Sequence, residues 1–331
     1  MKTRREFLLT SATAMAAGAG VQPLLAEAAP SAPPKVRALR GHIVQVTDET
    51  MTSKDRPVVA VAEKMLARAM VELTGKKKAA DAWASLFSPK ELIGIKINCL
   101  GKPCMSTTPE VVKAIIAGLK SAGVPESQII VFDLFGSHML MSRYKLQPSD
   151  KGVRYVHNKQ LGYEDEWRTH PSGKVKFTQA LLKADKIISV PVIKDHALSG
   201  VTCALKNMAF GTIINPSAHH RGGCDPGVPN IYNLAPIKEK VALIICDAAF
   251  MQYDGGPQCK PGARLATNTL YLTHDPVAMD KIAWELIDAR RKDKRLPLLA
   301  KKREPKNVAT AAGLGLGVDD RAKIKVVKAK V

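Results

Sequence analysis

The sequence predicts a three-layer α/β fold with a largely parallel sheet, helices on both of its faces and long irregular loops. Apolar runs of strand length alternate with helical patterns along the chain. Runs such as residues 187–190 and 241–245 are almost entirely apolar, which is typical of parallel strands that are buried on both faces. The chain has 331 residues, of which 46% are hydrophobic and 24% charged, so it can bury the large core that this fold requires.

Strands and helices are predicted in alternation. The predicted strands are residues 42–46, 92–98, 129–133, 186–193, 241–247 and 269–273. The predicted helices are residues 57–74, 109–122 and 275–289. Residues 134–180 and 211–240 lack clear periodicity and are rich in Gly, Pro, His and charged residues, so we predict functional loops there.

Residues at the ends of the predicted helices fit known end signals. Pro57 suits the first position of the first helix, and Gly75 suits its C-terminal cap. Thr107 or Thr108 precedes the second helix. Asp275 suits the N-cap of the third helix, ahead of Pro276, and we assign it a structural role.

The first 28 residues are predicted to be an export signal. The pair Arg4 and Arg5, followed by Phe and Leu, resembles the twin-arginine (Tat) signal. A short apolar stretch then leads to a small-residue cleavage site that ends at Ala28. A membrane-spanning helix is the alternative, but it needs about 20 consecutive apolar residues, and this stretch is shorter and diluted by small and polar residues.

The rest of the chain is predicted to be a linker over residues 29–41 and a single α/β domain over residues 42–331. Residues 1–28 hold three basic and two acidic residues, so the formal charge falls only from +20 to +19 when they are removed. We therefore expect a periplasmic protein, without an integral membrane segment after cleavage, that binds a small anionic ligand or an acidic exported redox protein. The Tat translocase would be its partner during export. Few aromatic residues accompany the basic ones, which argues against nucleic-acid binding.

Ligands of open α/β sheets bind beyond the carboxyl ends of the strands. Polar residues follow several predicted strands, among them Asp133 and His138 after the third. Lys96 lies inside an apolar strand and requires an anionic partner or ligand unless it reaches solvent. The residues assigned to substrate binding are Lys96, Asn98, Thr202, Lys206 and Asn207.

The residues assigned to catalysis are Lys194, His196 and Asp247. In this hypothesis three lysines, Lys96, Lys194 and Lys206, clamp a carboxylate or phosphate. His196 transfers a proton or binds a metal, and Asp247 orients it.

The stretch from Lys194 to Gly227 is also dense in metal-binding residue types. Imidazole and thiolate groups bind zinc, iron or nickel, and the candidate ligands are His196, His219, His220 and Cys224. For each histidine, a hydrogen-bonded structural role is the alternative. The sequence contains neither a C-x2-C pair nor a C-x-x-C-H motif, so spacing indicates no zinc ribbon, ferredoxin-type cluster or c-type haem.

Six cysteines follow the predicted signal, which permits disulfides in an exported protein. Cys99 and Cys104 flank a short loop, and we predict that they pair. Cys246 lies in an apolar strand and is predicted to be a buried thiol. Disulfide, metal ligand and core residue remain open for Cys203, Cys224 and Cys259.

Two glycine-rich segments differ in what they predict. Residues 255–257 follow Asp254 and predict a tight turn whose backbone amides approach an anionic group. Residues 313–317 contain alternating glycines but have no preceding strand, so they do not predict a dinucleotide site.

Several sequence blocks together resemble a known family, the bacterial and archaeal domain of unknown function 362, over residues 92–290. The blocks are GIKINCLGKP, STTPEVVKAII, IISVPVIKDHALSGVTCALKNMAFG, LIICDAAFMQYDGGP and THDPVAMDKIAWELI. The resemblance places these residues on motif positions: Lys96, Asn98, Lys194, His196, Thr202, Lys206, Asn207, Asp247, Gly256, Asp275 and Asp280. Some relatives carry ferredoxin-like iron–sulfur modules, which this chain lacks. The resemblance implies a fold and a site position but no reaction.

Two functions fit these observations. The first is an exported metal- or redox-cofactor-dependent enzyme, for example an oxidoreductase, that acts on a small anionic substrate. The alternative is a non-catalytic cofactor-binding or maturation protein for an exported redox enzyme. The Tat route carries folded proteins that often hold a cofactor, so a metal ion or an iron–sulfur cluster is expected, without its identity.

Overall fold

A computed structural model describes residues 40–149 and 151–331. The predicted signal residues Arg4, Arg5 and Ala28 and most of the predicted linker lie outside the described residues. The described residues all belong to one compact unit. In this part of the chain, no helix has the length and apolarity needed to cross a membrane.

Strands and helices alternate along the described residues, as predicted. The strands are β1 (His42–Thr47), β2 (Thr52–Ser53), β3 (Arg56–Pro57), β4 (Ile93–Lys96), β5 (Ile129–Asp133), β6 (Arg154–His157), β7 (Arg168–His170), β8 (Gly173–Val175), β9 (Lys186–Ser189), β10 (Val192–His196), β11 (Gly200–Thr202), β12 (Val241–Gln252), β13 (Arg264–Thr273) and β14 (Lys325–Lys330). The helices are α1 (Val59–Thr74), α2 (Ala79–Ala84), α3 (Pro109–Ser121), α4 (Gly136–Met141), α5 (Asn158–Leu161), α6 (Gln179–Lys183), α7 (Ala204–Ala209), α8 (Gly227–Tyr232), α9 (Ala235–Lys238), α10 (Pro276–Asp293), α11 (Leu299–Lys302) and α12 (Lys306–Gly313).

The main sheet of the described chain has ten strands and is mostly parallel. Its order is β14, β1, β13, β12, β9, β4, β5, β6, and β10 pairs with both β12 and β11. The four neighbouring pairs β12–β9, β9–β4, β4–β5 and β5–β6 are parallel. β13 is antiparallel to β1 and β12, and β11 is antiparallel to β10. The carboxyl ends of β4, β5 and β9 therefore meet at one edge of the sheet, where ligands bind in open α/β sheets.

Helices cover both faces of this sheet, as predicted. Strand β5 shows why, since Ile129 and Val131 join one core cluster while Ile130 and Phe132 join another. The first cluster includes apolar residues of α1 and α3. The second includes residues of α7, α8 and α12, and a third includes residues of α10. The prediction of a three-layer α/β fold is therefore confirmed.

The ends of several elements differ from the prediction. The single strand expected over residues 186–193 is divided at Val190 and Pro191 into β9 and β10, because proline has no N–H to donate to a neighbouring strand. β12 and α10 extend beyond their predicted ends. Pro57 lies in β3 rather than at the first position of α1. Gly75 does end α1, with a φ of 69°, in the left-handed region that glycine tolerates.

The two stretches predicted as irregular loops contain short elements. Residues 134–180 include α4, β6, α5 and the β7–β8 hairpin, and residues 211–240 include α8 and α9. These elements have three to six residues each, too few to produce a readable periodicity. Their connections form one wall of the cavity described below.

One disulfide corrects the cysteine prediction. Cys104 pairs with Cys259, which lies in the loop after β12, and Cys99 is a free thiol. Cys99 is fully buried in the core cluster of α1 and α3. Burial raises the pKa of the Cys99 thiol well above its usual range. Cys246 is a buried thiol, as predicted.

Candidate functional site

A cavity of about 260 Å³ lies at the carboxyl ends of β4 and β5, beside the β10–β11 hairpin and α7. Its walls combine basic, polar and apolar side chains. The lining residues are Lys96, Asn98, Leu100, Asp133, Leu134, Phe135, His138, His196, Thr202, Lys206, Asn207, Phe210, Gly211, Pro216, Ser217 and His220. The cavity brings together all five residues predicted to bind substrate, and it includes His196 of the predicted catalytic set.

Lys96 is paired with a carboxylate. Its Nζ donates to Asp133 Oδ1 at 2.7 Å, to the carbonyl of Ile97 at 2.6 Å and to Asn207 Oδ1 at 3.2 Å. Only 1% of Lys96 is exposed, so the alternative that it reaches solvent is wrong. The other oxygen of Asp133 accepts from the backbone N–H of Cys99 at 2.7 Å. Asp133 therefore supplies the anionic partner that the sequence required.

Lys194 lies behind the cavity wall. It is fully buried and donates to Asn98 Oδ1 at 2.9 Å. Asn98 in turn donates to Asn207 Oδ1 at 3.3 Å, so the two asparagines link Lys194 to Lys96. Burial lowers the pKa of Lys194 to about 7. Lys194 acts on the cavity through Asn98, which lines it.

His196 is held by the backbone of the hairpin turn. Its Nδ1 accepts from the N–H of Leu198 at 3.1 Å and from the N–H of Ser199 at 3.2 Å. A neutral imidazole has one donor and one acceptor nitrogen, so the proton lies on Nε2. Burial and the nearby Lys206 lower the pKa of His196 to about 2, which keeps the ring neutral.

Lys206 faces His196, and the three groups that contact its Nζ include no carboxylate. Its Nζ lies 2.7 Å from His196 Nε2, 3.3 Å from Cys224 Sγ and 3.5 Å from Ser199 Oγ. Burial lowers the pKa of Lys206 to about 8. Because His196 Nε2 carries a proton, Lys206 Nζ accepts the hydrogen bond at that contact. An ammonium group has no lone pair with which to accept a hydrogen bond. The geometry therefore favours the neutral amine, whose two hydrogens point to Ser199 and Cys224.

Thr202 lines the cavity, and its buried Oγ1 has no hydrogen-bond partner among the described residues. Only 3% of Thr202 is exposed. An unsatisfied buried hydroxyl costs about 1–3 kcal/mol, so a ligand that bonds to it would recover this energy.

Helix α7, which carries Lys206 and Asn207, is fixed at its start by a carboxylate from α10. Asp280 Oδ1 accepts from the N–H of Ala204 at 2.6 Å and from the N–H of Leu205 at 3.3 Å. Burial raises the pKa of Asp280 to about 7. Asp280 therefore positions the helix, a role that its sequence position did not indicate.

Asp247 does not orient His196, contrary to the prediction. Its Oδ2 accepts from the N–H and the hydroxyl of Thr108 at 2.8 and 2.7 Å, and its Oδ1 accepts from the N–H of Ala249 at 3.2 Å. Burial raises the pKa of Asp247. Thr108 precedes α3, which covers the opposite face of the sheet from α7. Asp247 therefore caps a helix, and backbone N–H groups orient His196 instead.

The predicted turn at residues 255–257 and the predicted cap at Asp275 both make structural contacts. Gly256 donates its N–H to Asp195 Oδ1 at 2.8 Å, so the anionic group near the predicted turn is a carboxylate of the protein itself. Asp195 also pairs with Arg303 at 2.7 Å. Asp275 caps α10 by accepting from the N–H of Ala278 at 2.8 Å, as predicted.

The four residues predicted to bind a metal do not form one ligand set. The rings of His196 and His220 are 6.1 Å apart, whereas His219 lies beside His170, with 5.2 Å between their rings. Cys224 contacts Lys206. Within residues 40–149 and 151–331, no three His, Cys, Asp or Glu side chains are grouped so that they could hold a metal ion. Metal binding at this site stays a prediction, and no step below depends on it.

The sequence analysis missed several lining residues. Phe210 lies one helical turn after Lys206, and its ring centre is 5.1 Å from Lys206 Nζ. Gly211 lies so close to Lys96 that a Cβ at this position would meet both Lys96 Nζ and Lys96 Cε. A helix over residues 204–209, which the sequence analysis did not predict, would have indicated the contact of Lys206 with Phe210. Gly211 carries no such signal, because its neighbour is distant in sequence.

The comparisons with known proteins identify a family but no close relative. Residues 93–285 match the family described as "Domain of unknown function (DUF362)". No curated protein matches the chain. Among solved structures, the lactate racemase apoprotein from Thermoanaerobacterium thermosaccharolyticum is 15% identical, with a TM-score of 0.42, over 74% of this chain and 57% of that one. A crystal structure of a protein from Thermotoga maritima is 11% identical, with a TM-score of 0.41, over 74% of this chain and 61% of that one.

The chain thus spans less than two thirds of the length of these two structures. The family match covers more than half of the chain and contains β4, α7, β10 and β12, which build the cavity and its support. The chain belongs to the domain of unknown function 362 (DUF362) family.

Proposed function

We propose that this protein is an exported enzyme that binds a small organic anion in the cavity and transfers a proton at Lys206. The observation that carries the proposal is the composition of the cavity wall. Two buried lysine amines line the cavity, and the carboxylate among the described lining residues, Asp133, is already paired with one of them. When Lys206 gains a proton, no carboxylate among the described residues of the cavity wall is left to neutralise its charge, and this favours an anionic ligand.

Each of the polar residues around the cavity has a different role in this proposal. Lys96 retains its proton through Asp133 and attracts the anionic group of the ligand. The free hydroxyl of Thr202 bonds to a polar atom of the ligand. Lys206, as a neutral amine, accepts a proton from the ligand, and the amine is held in place by His196. This differs from the predicted scheme, in which Lys206 was a charged clamp and His196 the proton shuttle.

The size and the walls of the cavity limit the ligand. A volume of about 260 Å³ lies just below the usual range for drug-sized ligands, so the ligand has few heavy atoms. Phe135, Phe210, Leu100 and Leu134 supply apolar wall. Apolar walls exclude water and strengthen the interaction of a bound anion with the lysines.

Calorimetry with small carboxylates and with inorganic phosphate tests the binding part of this proposal. We expect one ligand per chain and a loss of affinity of about tenfold or more in Thr202→Val, which keeps the shape and removes the hydroxyl. Thr310→Val, on α12 and outside the cavity, is the matched control and should bind as the wild type does. Equal affinity in both variants, or no binding of any anion, would contradict the proposal.

The export part rests on the sequence of residues 1–28. Replacing Arg4 and Arg5 with lysine keeps the charge but removes the twin arginines. We expect the variant to remain in the cytoplasm uncleaved, while the wild type is recovered from the periplasm beginning at Ala29. Normal export of the variant would rule out a Tat signal.

The alternative function, an accessory protein that carries a cofactor to an exported redox enzyme, is favoured by the apolar surface near the cavity. Phe135 lines the cavity and is 44% exposed, and Leu198 in the hairpin turn is 51% exposed. A partner protein would cover such residues. Metal analysis and an absorption spectrum of protein purified anaerobically separate the two functions. Stoichiometric metal or a chromophore favours a cofactor-dependent role, and a colourless, metal-free protein favours the lysine-based enzyme.

A further inference from the structure

We infer that Lys206 is a nucleophile that forms an imine with the carbonyl carbon of a small oxo acid. This inference rests on the proposed function, because it names the substrate class and the reacting atom of the same cavity. It goes beyond proton transfer, since it requires a covalent bond between the protein and the ligand.

The first step of the argument is the protonation state of Lys206. Two backbone N–H groups point at His196 Nδ1, so the ring proton lies on Nε2, 2.7 Å from Lys206 Nζ. An ammonium at Nζ would place two hydrogen donors against each other. A neutral amine accepts this hydrogen bond through its single lone pair, and the same lone pair attacks a carbonyl once the contact with His196 opens.

The second step is selectivity among the buried lysines. Lys96 lines the cavity, but it is bonded to the carboxylate of Asp133 at 2.7 Å, which stabilises its ammonium form. Lys194 donates to Asn98 and is not part of the cavity wall. Among these three lysines, Lys206 alone combines a neutral amine with access to the cavity.

The third step is the fit of an oxo acid. Its carboxylate would lie toward Lys96, and its carbonyl oxygen has a hydrogen-bond donor in the free hydroxyl of Thr202. The ring of Phe210, 5.1 Å from Lys206 Nζ, places an apolar wall beside the reacting nitrogen. The apolar part of the wall limits the access of water, which would hydrolyse the imine.

The reaction balances without a further reactant. Nζ forms a bond to the carbonyl carbon, and the oxygen takes one amine hydrogen to give a carbinolamine. The carbon–oxygen bond then breaks, and the oxygen leaves as water with the second amine hydrogen. No electron is gained or lost, and His196 keeps its proton while its Nε2–H releases the nitrogen lone pair for the attack.

Reductive trapping tests the inference. The purified protein is incubated with pyruvate or glyoxylate and sodium cyanoborohydride, which reduces an imine to a stable secondary amine. We expect one adduct per chain by intact mass, located by peptide mapping on the peptide that contains Lys206. Lys206→Arg should lose the adduct, and Lys238→Arg, which changes an exposed lysine on α9, should keep it.

Adducts spread over exposed lysines, at the same level in Lys206→Arg as in the wild type, would overturn the inference. Mapping on the wild type gives this answer even if Lys206→Arg does not fold. Calorimetry of the same oxo acids separates this failure from failure of the proposed function. If the oxo acid binds, and binds more weakly to Thr202→Val, but forms no adduct at Lys206, the imine inference is wrong and the anion site stands. If the oxo acid neither binds nor forms an adduct, both the imine inference and the proposed function are wrong.

Discussion

The cavity has two sides that treat a buried lysine differently. On the side of β4 and β5, Lys96 donates to a carboxylate, a carbonyl and an amide oxygen, so each of its three ammonium hydrogens has an acceptor. On the side of α7 and the hairpin, the hydrogen-bond partners of Lys206 are an imidazole, a thiol and a hydroxyl. Lys96 is therefore held as a cation, whereas the contacts of Lys206 favour the neutral amine.

The difference teaches that burial alone does not set the chemistry of a lysine. Both side chains are at most 6% exposed. What differs is the neighbour, because an adjacent carboxylate stabilises the ammonium form and a neutral donor favours the amine. The four predictions below test this comparison, from the largest expected effect to the smallest.

The largest effect is expected from Lys96→Met. The substitution leaves Asp133 buried without its cation, which costs about 3–5 kcal/mol in the free energy of unfolding. Urea denaturation followed by circular dichroism measures the loss. Adding Asp133→Asn to the same chain should restore most of the stability, because the uncompensated charge is then gone. If Lys96→Met were as stable as the wild type, Asp133 would not depend on Lys96 for charge compensation.

A smaller loss is expected from Gly211→Ala on the same side of the cavity. The added methyl would meet Lys96 Nζ and Cε and force the side chain away from Asp133, at a cost of about 1–3 kcal/mol. Gly262→Ala is the matched control, since a Cβ there meets no atom within 4 Å. Equal urea midpoints for the two variants would mean that Lys96 can move without losing its partner.

The pH dependence of stability distinguishes the two sides without mutation. The pKa of Lys194 is lowered to about 7 and that of Lys206 to about 8 in the folded state, so above pH 7 the unfolded chain binds more protons than the folded one. Stability should therefore rise between pH 7 and 8.5, by at most about 1.4 kcal/mol per pH unit for each group.

Urea midpoints across this range measure the slope, which should be shallower in Lys206→Met. The range stops at pH 8.5 because the raised pKa of Cys99 and of buried tyrosines opposes the trend at higher pH. A flat or falling curve in the wild type would show that the two lysines keep their protons in the folded protein.

The smallest effect on stability is expected from Lys206→Met. Replacing a buried amine that has no carboxylate partner with an apolar side chain of similar size should change the free energy of unfolding by less than about 1 kcal/mol. The same variant should lose turnover of the anionic substrate. A loss of stability as large as that of Lys96→Met would show that Lys206 is a compensated cation, and the contrast between the two sides would fail.

The sequence predicted most of the site before any geometry was known. Lys96, Asn98, Thr202, Lys206 and Asn207 all line the cavity, because polar residues at the ends of parallel strands converge at one sheet edge. Their roles could not be predicted as well. The protonation of Lys206 depends on two backbone N–H groups that fix the His196 ring, and this turn geometry has no signature in the order of residues.

Two predicted contacts were wrong. Cys99 was expected to pair with Cys104, whose partner is Cys259, 155 residues away in sequence. Asp247 was expected beside His196, but its side chain bonds to Thr108 ahead of α3, on the opposite face of the sheet from α7. A β-bulge in β12 between Ala248 and Phe250 interrupts the alternation of side chains between the two faces of the sheet, so the sequence pattern does not show which face a side chain of β12 occupies.

The sequence by itself determined the alternation of strands and helices, the starts of α3 and α10, and the need for an anionic partner at Lys96, because these follow from local periodicity, capping and burial. Only the tertiary structure decided which groups meet. Asp133 for Lys96, Cys259 for Cys104 and Asp280 for the start of α7 are separated by 37, 155 and 76 residues from their partners. Contacts over such distances are set by sheet order and by the packing of both faces, which no local pattern records.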